Sequence, residues 1–158
     1  MGRATLGRTG SPAYRGYLRS QAWGWRRQRW FQDRRAEGKE PACQVCGLTL
    51  TEHEAATGRG LDLHHTSYGG VTQDAGGRWR AEEKDQDLMP MCRYHHQALH
   101  RVMDRPKDHN GWNRRRATVV ILRDLIRRHQ RLTPAQRAQL KTAILASAKH
   151  EHHQYTKG

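Results

Sequence analysis

The segment Leu61–Thr66 constrains this chain more than any other stretch of its sequence. Apolar and polar residues alternate from Leu61 to His64, which is the period of a half-buried strand. The segment then presents two adjacent histidines, His64 and His65. Because successive side chains of a strand point to opposite faces, the two imidazoles are expected on opposite sides of the ribbon.

A second segment, Cys92–His100, carries the side chains that the first segment is expected to meet. Cys92 and His95 have the two-residue spacing of a metal-binding turn. His96 and His100 are four residues apart, so on a helix they share one face about one turn apart. So many imidazoles and a thiol in two short segments predict a metal site and favour two.

The composition of the chain points to a polyanionic partner. Its 158 residues suffice for one domain with a modest core, and only 35% of them are apolar. Metal ligation is therefore expected to help offset the conformational entropy of folding. The formal net charge of +14, mostly from arginine, favours nucleic acid as the partner. A basic surface that is merely solvated is the alternative.

The three cysteines predict metal binding rather than disulfides. Their odd number and the lack of an apolar leader argue against a disulfide framework. Cys43 and Cys46 are separated by two residues and followed by Gly47, a turn in which two thiolates converge on one ion. Together with Cys92 and His95 they form a predicted structural zinc site. No signal peptide and no membrane span are expected, and the expected location is the cytoplasm.

The N-terminal part predicts a basic helix behind a flexible basic tail at residues 1–13. Ser20 is a candidate N-cap for a helix that begins near Gln21. Trp23 and Trp30 are seven residues apart and are expected to pack on the core. The candidate DNA contacts in this helix, for which solvated arginines are the alternative, are Arg26, Arg27, Arg29 and Arg34. Arg78 and Arg80, in the long glycine-bracketed connection that runs to about Gln86, are further candidates, for which a mobile connection is the alternative.

The C-terminal half predicts one further strand and three helices. Leu88–Met91 is a short apolar strand expected to pair with the strand at Leu61, and the helix after it runs from Cys92 to about Met103. A second helix is expected from Ala117 to about Arg131, with an apolar face. That face comprises Val120, Leu122, Leu125 and Ile126. Thr133 and Gln136 form a predicted capping box with Pro134 at the first helical position.

In order and spacing, these motifs resemble the HNH endonucleases, the ββα-metal nucleases. The resemblance covers Tyr14 to Arg101, a little over half of the chain. The matching motifs are Tyr17-Leu18-Arg19-Ser20 with Trp23, Cys43-x2-Cys46-Gly47, Leu63-His64-His65, Asp87-Leu88 and Cys92-x2-His95-His96-x3-His100.

The resemblance implies a role for each matching residue. His65 matches the general base that takes a proton from the attacking water. His64, His96 and His100 match the ligands of the catalytic metal ion. Cys43, Cys46, Cys92 and His95 match the separate structural zinc site that many members keep.

Two positions depart from the family pattern. Asp87 stands where the family has asparagine, and it is expected either to orient His65 or to approach the metal ion. His95 stands where a fourth cysteine is commoner, and zinc accepts either ligand. A three-histidine site favours Zn²⁺, Ni²⁺ or Mn²⁺, whereas the family often works with Mg²⁺, so the identity of the ion stays open.

The resulting prediction is an α+β fold with a small ββα-metal core and zinc knuckles, flanked by a basic N-terminal helix and C-terminal helices. It divides the chain into a tail at 1–13, a nuclease domain at 14–104 and a helical extension at 105–158. The predicted function is metal-dependent nicking or double-strand cleavage of DNA by a monomer or homodimer, in the setting of a phage or mobile element. The alternatives are a non-catalytic zinc-containing nucleic-acid-binding protein and a phage packaging accessory.

Overall fold

The computed structural model describes residues 11–105 and 112–156, with side chains up to residue 149. Within these ranges the chain is mixed helix and strand. The helices are α1 Pro12–Leu18, α2 Gln21–Ala36, α3 Leu50–Thr57, α4 Arg93–Met103, α5 Arg114–Arg131 and α6 Pro134–Thr156. The strands are β1 Asp62–His65, β2 Val71–Gln73, β3 Trp79–Ala81 and β4 Leu88–Met91, with a short 3-10 helix at Asp85–Asp87.

The strands form two small sheets. β1 is hydrogen-bonded to β4, and β2 pairs antiparallel with β3. The chain divides into two compact units, and the division passes through β1 and β4. Of the described residues, unit 1 contains those up to Lys39 together with His65–Met89, and unit 2 contains Glu40–His64 together with those from Pro90 onward.

Unit 1 packs α2 against the β2–β3 hairpin. Ser20 caps α2, because its hydroxyl accepts a hydrogen bond from the backbone N–H of Trp23. Tyr17, Trp23 and Trp30 are buried there, and so are Val71 and Leu88. Gly70 allows the loop before β2 to lie against the backbone of Glu82, where a Cβ atom would overlap the carbonyl group.

Unit 2 joins the cysteine knuckle to four helices. A capping box between Thr49 and Glu52 starts α3, which packs on α6, and α4 packs on both α5 and α6. The buried apolar side chains of this unit include Leu48, Leu50, Leu99, Ile121 and Ile144. Because α5 and α6 share this unit with α4, the two units do not coincide with the predicted segments 14–104 and 105–158.

Several local predictions are confirmed. Ser20 is the N-cap of α2, β1 pairs with β4, and Thr133 and Gln136 exchange the two hydrogen bonds of a capping box. The predicted tail at 1–13 lies mostly outside the described residues, and α1 begins at Pro12. In the described ranges, no helix is long and apolar enough to cross a membrane.

Three residues of the predicted apolar face of α5, Leu122, Leu125 and Ile126, are half-buried, but the prediction is wrong for Val120. Val120 is 42% exposed, whereas Ala117, Thr118 and Ile121 are buried. The rotation of α5 is set by its packing on α4, which turns Thr118 inward. α3 and the β2–β3 hairpin were not predicted at all.

Candidate metal centres

The cysteine knuckle folds as a tight hydrogen-bonded turn. The backbone N–H of Cys43 donates to the carbonyl of Leu48, and the N–H of Gly47 donates back to the carbonyl of Cys43. Gly47 has a φ of 73°, a left-handed conformation that suits glycine. Cys92 is the N-cap residue of α4, so His95 follows within the first helical turn and faces the same point.

These elements bring Cys43, Cys46, Cys92 and His95 together. Their four ligand atoms all lie within 4.8 Å of one another. Cys92 Sγ is 3.2 Å and Cys43 Sγ is 3.8 Å from His95 Nδ1, and the Sγ atoms of Cys46 and Cys92 are 4.0 Å apart. Zinc–sulfur bonds of about 2.3 Å in a tetrahedron put neighbouring ligand atoms about 3.8 Å apart. The set can therefore hold a metal ion, and zinc is plausible.

The electrostatics of the knuckle show how the thiols share charge. Hydrogen bonds from Cys46 and Cys92 hold the pKa of Cys43 well below its usual range. The hydrogen bond to Cys43 raises the pKa of Cys46 to about 11, and the pKa of Cys92 is raised for the same reason. Without a cation the three sulfurs thus favour one thiolate, and a bound divalent ion removes the remaining protons.

A second donor set consists of His64, His96 and His100. Their ligand nitrogens also lie within 4.8 Å of one another, with His64 buried and the other two half-buried. His64 Nδ1 is 3.3 Å from His96 Nε2, which is 3.1 Å from His100 Nε2. Ligands about 2.0–2.1 Å from a shared ion would be separated by distances of this size. This cluster can also hold a metal ion.

Three residues contact the nitrogens on the far sides of these rings. Thr118 Oγ1 lies 3.0 Å from His64 Nε2, and Asp62 Oδ2 lies 3.0 Å from His96 Nδ1. Asp104 Oδ2 is 3.3 Å from His100 Nδ1.

His100 is in the neutral form, so one of its ring nitrogens has a lone pair. Burial, followed by the charges of His96 and Arg114, lowers the pKa of His100 to about 4. His100 is therefore neutral near pH 7, and a neutral imidazole is the form that binds a metal ion.

In unit 1, His65 lies in a closed aromatic and acidic environment. It is 2% exposed, and its Nε2 is 2.6 Å from Oε2 of Glu83, which is 3% exposed. The hydroxyl of Tyr17 donates a hydrogen bond to the same Glu83 oxygen. The ring of His65 stacks on Tyr68 at a centroid distance of 4.2 Å and lies 4.4 Å from the ring of Trp23.

These hydrogen bonds determine the ionisation of Glu83. Burial alone would raise the pKa of its carboxyl group, but hydrogen bonds from His65 and Tyr17 outweigh burial, and the pKa is lowered. The carboxylate accepts a hydrogen bond from Nε2–H, so a neutral His65 has its lone pair on Nδ1.

Asp87, the predicted orienting residue, is buried in unit 1. Its backbone carbonyl accepts a hydrogen bond of 2.8 Å from the backbone N–H of Thr66, the residue after His65. The main chain of Asp87 thus fixes the end of the strand on which His65 lies.

The six predicted DNA-contacting arginines differ in accessibility. Arg29, Arg78 and Arg80 are exposed, and Arg27 is half-buried. Arg34 is half-buried and forms ion pairs with Glu37 and Asp85.

Arg26 requires a correction. It is 4% exposed, and its Nη2 donates to the carbonyl of Glu83 at 2.7 Å and to Asp85 at 2.5 Å. A guanidinium buried in this way holds the loop at Glu83 and is not available to a phosphate backbone.

Sequence reasoning missed Glu83, Asp62, Asp104 and Thr118. Asp62 and Asp104 had readable signals, since Asp62 lies two residues before His64 and Asp104 four residues after His100. Glu83 and Thr118 gave none, because their histidine partners are 18 and 54 residues away in the chain.

Neither a protein-family model nor any curated protein or solved structure matches this chain. The features of this chain that bear on its function are therefore the two donor sets and the surroundings of His65.

Proposed function

We propose that this protein is a metal-dependent endonuclease of the HNH type that hydrolyses DNA phosphodiester bonds. The observation that carries the proposal is the pair of consecutive strand residues His64 and His65. His64 belongs to a three-histidine donor set, whereas His65 is hydrogen-bonded to the buried carboxylate of Glu83. One position has the surroundings of a metal ligand and the next has those of an oriented base.

Phosphodiester hydrolysis needs both kinds of group. His64, His96 and His100 would hold a divalent ion, and that ion would supply positive charge to stabilise the scissile phosphate and the leaving 3′ oxygen. His65 takes the proton of the attacking water, for which a neutral imidazole is suited near pH 7. Glu83 holds the proton of a neutral His65 on Nε2, which leaves Nδ1 as the nitrogen with the lone pair.

The charge of the chain supports a DNA substrate. The net charge of +14 favours binding to a polyanion, and the exposed residues Arg29, Arg78 and Arg80 are accessible to phosphates. In this proposal, the Cys43, Cys46, Cys92 and His95 set holds a structural zinc ion that fixes the start of α4. The same helix carries His96 and His100, so the structural ion also positions two ligands of the catalytic ion.

A second candidate function is a non-catalytic zinc-containing nucleic-acid-binding protein. The observation that favours it is the burial of His65, because a ring that is 2% exposed and enclosed by Tyr68 and Trp23 must become accessible before it can act on water. In that function the pair of His65 and Glu83 stabilises unit 1 and does no chemistry.

The test is cleavage of supercoiled plasmid by the wild type and by His65→Ala, with EDTA or with Mg²⁺, Mn²⁺, Ni²⁺ or Zn²⁺. If the protein is a nuclease, the wild type should nick or linearise the plasmid only with a metal ion. The cleavage rate should fall at least about 100-fold in His65→Ala, the usual scale for loss of a general base. His53→Gln is the matched control, since His53 is a buried histidine outside both donor sets. Wild-type protein that binds DNA but never cuts it with any of these ions would overturn the proposal and support the binding protein.

A further inference from the structure

In each histidine of the three-histidine cluster, the ring nitrogen that faces away from the other two histidines lies next to an oxygen atom of another side chain. His96 Nδ1 is 3.0 Å from a carboxylate oxygen of Asp62, and an ionised carboxylate can only accept a hydrogen bond. Neutral His96 must therefore carry its proton on Nδ1. Its Nε2, which points at His64 and His100, then has a lone pair.

The same reasoning applies to His100, whose carboxylate partner, Asp104, lies farther from the ring. Its Nδ1 is 3.3 Å from Asp104 Oδ2, close enough for electrostatic attraction but outside the geometry of a direct hydrogen bond. A proton on Nδ1 is favoured there, since the alternative places a lone pair against a carboxylate. Two lone pairs, those of His96 Nε2 and His100 Nε2, then face each other across 3.1 Å.

His64 completes the pattern through a different atom. Its Nε2 is 3.0 Å from the buried hydroxyl of Thr118, so its Nδ1 is the nitrogen that faces the other two histidines. If the hydroxyl donated instead, Nδ1–H of His64 would point into the converging nitrogens and exclude a cation. A hydroxyl can accept as well as donate, and acceptance leaves a third lone pair facing inward.

We infer that Asp62, Asp104 and Thr118 are positioning residues that fix the tautomers of the three histidines, so that a divalent cation is bound by Nδ1 of His64 and by Nε2 of His96 and His100. Hydrogen bonds to a metal-binding imidazole orient the ring and raise its basicity. The two carboxylates also balance the charge of a divalent ion bound by three neutral ligands.

The partners are expected to differ in strength. Asp62 makes the direct charged contact and should matter most for affinity. Asp104 is 41% exposed and more loosely placed, so its contribution should be smaller. Thr118 is neutral, and its main effect should be on the tautomer of His64. This inference rests on the metal site in the proposed function but not on nuclease activity.

The first test reads the tautomers directly. Long-range ¹H–¹⁵N correlation spectra of the ¹⁵N-labelled, zinc-loaded protein distinguish protonated from unprotonated ring nitrogens, with assignment from single His→Gln variants. The expected result is a proton on Nδ1 of His96 and His100 and on Nε2 of His64. A proton on Nε2 of His96, or on Nδ1 of His64, would overturn the inference whether or not the protein cuts DNA.

The second test measures affinity. With zinc already bound at the cysteine site, Co²⁺ is titrated against a fluorescent chelator, and circular dichroism checks the fold. Asp62→Asn is expected to weaken Co²⁺ binding by about 10–100-fold, and Asp104→Asn by less. Thr118→Val keeps the shape of the side chain but removes the oxygen that accepts from Nε2–H of His64, so it should weaken Co²⁺ binding by less than Asp62→Asn.

The matched control is Asp124→Asn, which neutralises an exposed carboxylate of α5 that pairs with Arg128. Its Co²⁺ affinity should stay within about twofold of the wild type, because surface charges have small effects. A folded Asp62→Asn protein with wild-type affinity would show that the outer contacts do not govern binding, and it would overturn the inference.

Discussion

His65 Nε2 lies 2.6 Å from Glu83 Oε2 in unit 1, and both side chains are almost completely buried. Tyr17 donates to the same carboxylate, so one acidic group holds two partners from different segments of the chain. Because buried charges are stable only when they are paired, Glu83 is expected to govern both the stability of this unit and the orientation of His65.

Removing the carboxylate should therefore be costly. We expect Glu83→Ala to lower the free energy of unfolding by about 3–5 kcal/mol, the scale for breaking a buried pair, because His65 and Tyr17 lose their acceptor. Urea unfolding followed by tryptophan fluorescence measures this change. Asp33→Asn on the exposed side of α2 is the control and should stay within about 0.5 kcal/mol of the wild type. Equal stabilities of the two variants would contradict the role of Glu83.

The ion pair of Arg26 with Asp85 predicts a stability that depends on acid. The hydrogen bond from Arg26, reinforced by Arg34, lowers the pKa of Asp85 below its usual value of 3.8. A lowered folded-state pKa stabilises the protein above pH 3.8, and this contribution is lost as the pH falls through the folded-state pKa. Since Asp85 is 43% exposed, the contribution near pH 7 should be about 1 kcal/mol or less.

The variant Asp85→Asn tests this contribution when its free energy of unfolding is measured as a function of pH. Its deficit in unfolding free energy relative to the wild type should be largest near pH 6 and should shrink below pH 3.8 as Asp85 takes up a proton. A deficit that stays constant from pH 6 down to acid would mean that the charge of Asp85 contributes nothing to this pair.

Two glycines offer a matched test of local packing. Gly70→Ala places a Cβ atom on the backbone of Glu82, so we expect a loss of about 1–3 kcal/mol from overpacking. Gly24→Ala lies inside α2, where the new methyl group meets nothing within 4 Å beyond its chain neighbours and the backbone of its own helix. It should stabilise the protein by about 0.5–1 kcal/mol, because alanine favours a helix. Thermal unfolding of both variants checks the opposite signs.

The donor residues could be predicted from sequence because their information is local. Two-residue spacings place Cys43 beside Cys46 and Cys92 near His95, and a four-residue spacing places His96 above His100. Caps at Ser20 and Thr133 were equally readable, since a capping hydroxyl lies within three residues of the N–H that it binds.

Partners that arise from tertiary packing could not be predicted. Glu83 reaches His65 only after the β2–β3 hairpin has formed, and Thr118 reaches His64 only after α5 has packed on α4. Neither contact leaves a periodic signal in the sequence. The burial of Arg26 could not be predicted either, because a buried arginine and a phosphate-binding arginine look identical in sequence. The helix α3 was readable, however, since Thr49 and Glu52 have the spacing of a capping box.

The chain has two separate donor sets that could each hold a metal ion, so the number of ions bound per chain tests both sets at once. Native mass spectrometry of zinc-loaded protein should give two ions for the wild type. His95→Ala and His96→Ala should each give one, although these residues are neighbours on α4, because they belong to different sets. A wild type that binds at most one ion, or a His96→Ala protein that still binds two, would show that the two donor sets are not separate metal sites.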